Sequence, residues 1–201
     1  MIIIICLIGI SFFFVIPVHT ETYGMLTNYD QTGISPFSKL IFIGDSRTEG
    51  MRDAVMDENI WSCKCSMGYT WMVDTGVPQI EDEITDNTAV IILMGVNDVY
   101  QVNNYINYIN EKAALWENSG AKTYFVSVGP VQSYPYVTNA EIENFNSAMQ
   151  NHLINVSYID IYNWMLQNGY STVDGTHYPA DLSVQIYEYI LKQIEISDGD
   201  I

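Results

Sequence analysis

"KLIFIGDSRTEG", residues 39–50, decides the fold. Leu40 to Ile43 are apolar without a break, so both faces of the strand they form must be covered, as in a parallel sheet buried between helices. The chain then passes through Gly44-Asp45-Ser46 and continues with a helical pattern over 46–57. "TAVIILMG" (88–95) and "KTYFVSVG" (122–129) repeat this form, each run closed by a glycine. "IWSCKC" (60–65) and "VSYIDI" (156–161) are weaker strand candidates. Further helical patterns fit 100–118, 139–153 and 179–196, and Leu182, Ile186, Ile190 and Ile194 mark a core face in the last. The alternation predicts a three-layer α/β/α sandwich, flavodoxin-like, around a central parallel sheet of about five strands. Such sheets bind ligands beyond the carboxyl ends of their strands, which gives every strand-end residue a location in advance.

The 201 residues suit one domain, and a chain of that size can bury a substantial core. Against 7 basic residues stand 24 acidic ones, for a net charge of -17. Nucleic acid and anionic membrane surfaces would repel such a chain, so neither is an expected partner. Residues 1–20 contain no Asp, Glu, Lys or Arg, and Ile2 to Val18 is an apolar run broken by Gly9, Ser11 and Pro17. The run suits a signal peptide; an uncleaved N-terminal anchor is the close alternative, because no basic residue precedes it. Export to the extracellular space or cell surface follows, with membrane contact confined to that segment if it stays uncleaved. Residues 21–37 are polar and rich in turn formers, a linker or arm, and 38–198 form the domain.

Cys63 and Cys65 in "WSCKCSMG" have no histidine at metal-ligand spacing, and a bridge across one residue would be strained. They read as strand-end thiols. No HExxH, phosphate-loop or dinucleotide-binding glycine pattern occurs, nor a G-x-S-x-G elbow.

Three clusters fall after strands or before the last helix. Taken singly, each has a bland explanation. Gly44-Asp45-Ser46 is a good helix cap, "GVND" (95–98) is a set of turn formers, and Asp174 in "VDGTHYP" (173–179) is a cap beside a surface histidine. The histidines change that balance. His19 lies in the leader and His152 within a helical stretch, while His177 stands three residues from Asp174 on a connection into a helix. A serine nucleophile needs a base within reach and an acid to orient that base; His177 with Asp174 is the one short-range pairing of that type.

With the three clusters in order, residues 38–196 resemble the SGNH hydrolases, the GDSL esterase/lipase superfamily. The family's Gly-Asp-Ser block looks like Gly44-Asp45-Ser46, its second-block glycine is best matched by Gly68, its Gly-x-Asn-Asp block by Gly95 to Asp98, and its Asp-x-x-His block by Asp174 to His177. The chain departs from the family in having Arg47-Thr48 where a leucine usually follows the serine. The resemblance implies a serine esterase acting through Ser46, His177 and Asp174. Its oxyanion hole would consist of the Ser46 N–H, the Gly68 N–H and the Asn97 side chain. It implies no metal and no organic cofactor.

Arg47, Tyr69, Trp71, Tyr134, Tyr136 and Tyr178 are expected beside the substrate, a small acyl ester or an acylated glycan. O-acetyl groups on carbohydrate or cell-wall polymers suit an exported enzyme of this type. An acyltransferase on the same scaffold and a catalytically silent surface-binding domain are the alternatives. For Arg47, a surface carboxylate partner is expected in preference to a substrate contact. The oligomeric state is left open.

Overall fold

The computed structural model describes residues 37–198. The expected leader (1–20) and nearly all of the expected arm (21–37) lie outside the described residues. Five strands form one wholly parallel sheet: β1 (Lys39–Gly44), β2 (Ile60–Cys63), β3 (Thr88–Leu93), β4 (Lys122–Val126) and β5 (Val156–Ile159), in the order β2-β1-β3-β4-β5. The helices are α1 (Ser46–Val55), the short α2 (Tyr69–Trp71), α3 (Val102–Asn118), α4 (Asn139–His152), α5 (Ile161–Asn168) and α6 (Ala180–Asp198). The order places β1 and β3 side by side at the sheet's centre, with β1 next to β2 and β3 next to β4. Here the winding direction reverses, which opens a crevice at their carboxyl ends.

The unbroken apolar runs have a simple explanation: the sheet separates two cores. Successive side chains of a strand point to opposite faces. Ile41 and Ile43 of β1, Val90 and Ile92 of β3 and Phe125 of β4 enter one cluster. Phe42, Ala89, Ile91, Tyr124 and Val126 enter the other. The first is closed by Tyr105, Ile109 and Trp116 of α3 and by Ile142, Phe145 and Met149 of α4. Closing the second are Met51 of α1, Met165 of α5 and Leu182, Ile186, Ile190 and Ile194 of α6, the last four being the expected stripe. Burying each aliphatic side chain of this size contributes roughly 1.5–3 kcal/mol. Phe37, placed in the arm by sequence, is buried against the domain with its ring edge-on to Tyr124.

Some elements differ from the sequence expectation. Strands β2, β3, β4 and β5 stop at residues 63, 93, 126 and 159, earlier than their apolar runs, because the chain turns away to build the crevice. Helix α5 was not anticipated; Asp160 caps it by accepting a hydrogen bond from the Asn163 N–H. Between β2 and β3, α2 passes into a π-helical turn (Met72–Gly76) and a 3-10 turn (Glu81–Glu83). Both cysteine thiols are free; Cys63 ends β2 with its thiol near Arg52, and burial pushes that thiol up to about 11.

The junction of β1 with α1 is tight. A Cβ placed on Gly44 would lie 1.8 Å from Thr48 Oγ1 and 2.4 Å from Thr48 Cβ. Only glycine lets α1 start directly on the strand, with fully buried Thr48 packed over it.

Candidate active site

Capping and the candidate nucleophile are divided between neighbours. Asp45 is the N-cap of α1, its carboxylate accepting from the Arg47 N–H at 2.9 Å. Ser46 is the first residue of the helix, and its hydroxyl is committed elsewhere. Ser46 Oγ lies 2.8 Å from His177 Nε2, and His177 Nδ1 lies 2.6 Å from Asp174 Oδ2. The three residues expected to act together therefore stand in one hydrogen-bonded chain, spanning 131 positions between Ser46 and His177.

The loop before α6 holds the acid and base by short-range contacts. Asp174 Oδ1 accepts from the His177 N–H at 2.9 Å and the Thr176 N–H at 3.0 Å. The His177 backbone, then its ring, then the Thr176 N–H hold the Asp174 carboxyl well below the usual carboxylate range. It is thus a carboxylate facing Nδ1, which favours the tautomer with the proton on Nδ1 and the lone pair on Nε2, aimed at Ser46. The Asp174 side chain is 52% exposed, so water shares its solvation. On the neighbouring loop, the Gln132 N–H donates to the Gly175 carbonyl at 2.8 Å.

Gly68 and Asn97 come together from two other strand ends. The Asn97 side-chain amide donates to the Met67 carbonyl at 2.8 Å, so the loop after β3 grips the residue before Gly68. An asparagine amide has two protons, and one bond leaves the second to give. Asp98 secures the same loop: its carboxylate accepts from the Tyr69 N–H and from the Tyr105 hydroxyl, each at 2.7 Å. Burial, and then Asp98 itself, pushes the Tyr105 phenol well above its ordinary range, so it stays a donor. A Cβ on Gly68 would meet Asp98 Oδ2 at 2.3 Å, which is why glycine stands there. The role of Asp98 escaped the sequence reading, where it was simply the last letter of "GVND".

Of the six residues expected beside the substrate, five are engaged within the protein, Tyr134 among them through its packing against the first core. Tyr69 packs edge-on against Tyr105 and Tyr108, and Trp71 lies against the first core and over Gly76. Tyr178 donates its hydroxyl to the Pro130 carbonyl at 2.8 Å. Arg47 neither extends to solvent nor takes a surface carboxylate in its hydrogen bonds. Its guanidinium donates to the Gly129 carbonyl at 2.8 Å, the Thr176 carbonyl at 3.0 Å and Thr176 Oγ1 at 3.2 Å. Tyr134 and Tyr136 form an edge-on pair at 5.3 Å, with Tyr136 84% exposed. His152 sits on the surface at the end of α4, its Nδ1 beside the Ala148 carbonyl.

Beneath the serine, Asp45 is 2% exposed, and desolvation pushes its carboxyl up to about 6 against the opposing pull of Arg47. Among the described residues, no group of three or more His, Cys, Asp or Glu side chains could hold a metal ion.

Protein-family models give no match to this chain, and neither do the curated proteins. Solved structures do. A GDSL-like lipase from Bacteroides thetaiotaomicron is 18% identical with a TM-score of 0.60, covering 80% of this chain and 88% of its own. An acetyl xylan esterase is 15% identical with a TM-score of 0.55, covering 77% and 98%. The C-terminal catalytic domain of peptidoglycan O-acetyltransferase A from Streptococcus pneumoniae is 13% identical with a TM-score of 0.58, covering 81% and 96%. The likeness is one of fold: this chain has the α/β/α fold of the SGNH hydrolases.

Proposed function

We propose that the chain is an exported serine esterase of the SGNH type, hydrolysing short acyl esters through Ser46, His177 and Asp174. The observation that carries this reading is the hydrogen-bonded chain from Asp174 Oδ2 through His177 to Ser46 Oγ, at the carboxyl edge of the sheet. Ser46 Oγ attacks the ester carbonyl carbon while His177 Nε2 takes its proton. Asp174 stabilises the imidazolium that forms. The carbonyl oxygen, now negative, is received by the Ser46 and Gly68 N–H groups and the second Asn97 amide proton. A position at the start of α1 adds the helix dipole to this stabilisation. His177 returns the proton to the departing alkoxide, leaving an acyl group on Ser46. Water, deprotonated by the same imidazole, then attacks the acyl carbon, the bond to Ser46 Oγ breaks as His177 returns the proton to that oxygen, and the acid is released.

The substrate we infer is an O-acetylated carbohydrate or cell-wall polymer. Support comes from the acetyl chemistry in the names of two fold neighbours and from the apolar N-terminal segment expected to direct export. Arrival of a sugar hydroxyl in place of water at the acyl-enzyme would make the same site a transferase, the activity named for one of those neighbours. Acetate release from a panel of acetylated xylan, acetylated peptidoglycan and p-nitrophenyl acetate tests both readings. Free acetate from a glycan supports hydrolysis; acetyl groups appearing on an added acceptor with little free acetate support transfer. No release or transfer from any of them would overturn the proposal.

A further inference from the structure

We infer that Arg47 is a positioning residue: a clamp that sets the approach of His177 to Ser46. This rests on reading those two residues as base and nucleophile. The two reacting side chains are the central members of two tripeptides, Asp45-Ser46-Arg47 and Thr176-His177-Tyr178. Arg47 joins the flanks of both. Its Nε donates to the Thr176 carbonyl at 3.0 Å and its Nη2 to Thr176 Oγ1 at 3.2 Å. The guanidinium carbon stands 4.8 Å from the centre of the Tyr178 ring. Thus the residue before His177 is hydrogen-bonded by Arg47, and the residue after it is stacked on Arg47. A third donor, Nη1, binds the Gly129 carbonyl at 2.8 Å, anchoring the clamp to the loop after β4.

The carbonyl-bearing residues Thr176 and Gly129 are both buried. A buried carbonyl left without a donor is costly, so removing the guanidinium favours a shift of the loop that re-solvates Thr176 and Gly129. The fork geometry matters as well. Lysine carries its three donors on a single nitrogen and cannot span acceptors this far apart in fixed directions, whereas the planar guanidinium bridges three from three nitrogens and also stacks on an aromatic face. At its other end, the Arg47 backbone N–H is held by buried Asp45, so the clamp starts from a fixed point. The loop's other anchors, the Gln132 N–H on the Gly175 carbonyl and the Tyr178 hydroxyl on the Pro130 carbonyl, tie it to the segment after β4. The Asp174–His177 contact lies within the loop, so none of them sets the base against α1.

The test compares wild type with Arg47→Leu, Arg47→Lys and Thr176→Val, the last retaining Arg47 and the shape of the threonine. Displacement of the base by about 1 Å should lower kcat of Arg47→Leu by about 10- to 100-fold with KM nearly unchanged. Arg47→Lys should recover only part of this, and added guanidinium ion should restore Arg47→Leu while sodium at equal ionic strength does not. The low-field proton resonance of the His177 Nδ1–H, read without substrate, should broaden in Arg47→Leu and sharpen again with guanidinium. That signal reports the clamp even where no ester is cleaved, so failure of the hydrolase reading is recognised separately. Should Arg47→Leu not fold, Arg47→Lys and Thr176→Val must still show graded kcat losses or graded broadening. A wild-type kcat and resonance in the folded variants, or a loss confined to KM, would overturn the assignment.

Discussion

Replacing Gly68 by alanine puts a methyl group into space that Asp98 already fills. The new Cβ would lie 2.3 Å from Asp98 Oδ2, 2.6 Å from its Cγ and 3.0 Å from its Oδ1. Ordinary contact between such atoms begins near about 3.5 Å, so a gap of roughly 1 Å must open. A loose carboxylate could simply rotate away. Asp98 is not loose: the Tyr69 N–H and the Tyr105 hydroxyl each hold it at 2.7 Å. The Met67–Tyr69 loop must therefore retreat, or Asp98 must give up the bonds that fix that loop. Either way the Gly68 N–H leaves the position proposed for it beside the oxyanion. Losing one such donor costs about 2.7–4 kcal/mol of transition-state stabilisation, or about 10²–10³-fold in kcat. Overpacking itself should cost about 1–3 kcal/mol of stability, so the variant should still fold. Initial rates with p-nitrophenyl acetate and a thermal melt measure the two effects separately. A folded Gly68→Ala protein with kcat within about threefold of wild type would refute the assignment of this loop to the oxyanion hole.

Ser46→Ala and His177→Ala should each lower kcat by about 10⁴-fold or more, while Asp174→Asn, whose carboxylate is half in water, should lose only about 10²–10³-fold; equal and undiminished rates in all three would reject the triad. Asp45 supplies a pH dependence of stability. Its carboxyl is raised from 3.8 to about 6 in the folded protein, so the folded state binds the proton more tightly. Stability is then highest below the unfolded value and falls as pH rises through that window, by up to about 3 kcal/mol for a shift of this size. Asp45→Asn should remove this component, so the melting-temperature difference between variant and wild type should move in the variant's favour from pH 4 to pH 7 (on the order of that window); a constant difference would contradict the buried carboxyl. Gly44→Ala should cost about 3 kcal/mol or more in a denaturant titration, because its Cβ meets the Thr48 side chain, and Thr48→Ala should not rescue it, since the Thr48 Cβ itself is 2.4 Å away.

The sheet was legible because it is covered on both sides. Continuous runs such as Leu40 to Ile43 have one economical use, a central parallel strand between two cores, and the alternation of Ile41 and Ile43 with Phe42 bears this out. Helix α5 escaped because eight residues offer barely two turns of periodicity, and its buried Ile161, Tyr162 and Met165 follow directly on an apolar strand. The π-helical turn after α2 has no local signature at all; it follows from packing Met72, Val77 and Ile80 into the first core. Short-range chemistry was readable in the same way. Asp174 and His177 are three apart, and their contact is made within one loop. Arg47 shows the opposite limit. Its partners lie 82 and 129 positions away, so its guanidinium looked like a surface charge until the fold delivered two carbonyls to it. Asp98 was hidden similarly, because Tyr69 reaches it from 29 positions earlier.

The most direct test of the account is covalent labelling of the serine. Wild type, Ser46→Ala and His177→Ala are incubated with a fluorophosphonate, and the adduct is located by peptide mass spectrometry. A base-activated nucleophile gives one adduct, on Ser46 in the wild type, formed far more slowly in His177→Ala and absent from Ser46→Ala. A folded wild-type chain whose Ser46 stays unmodified, or which reacts equally fast without His177, would contradict it.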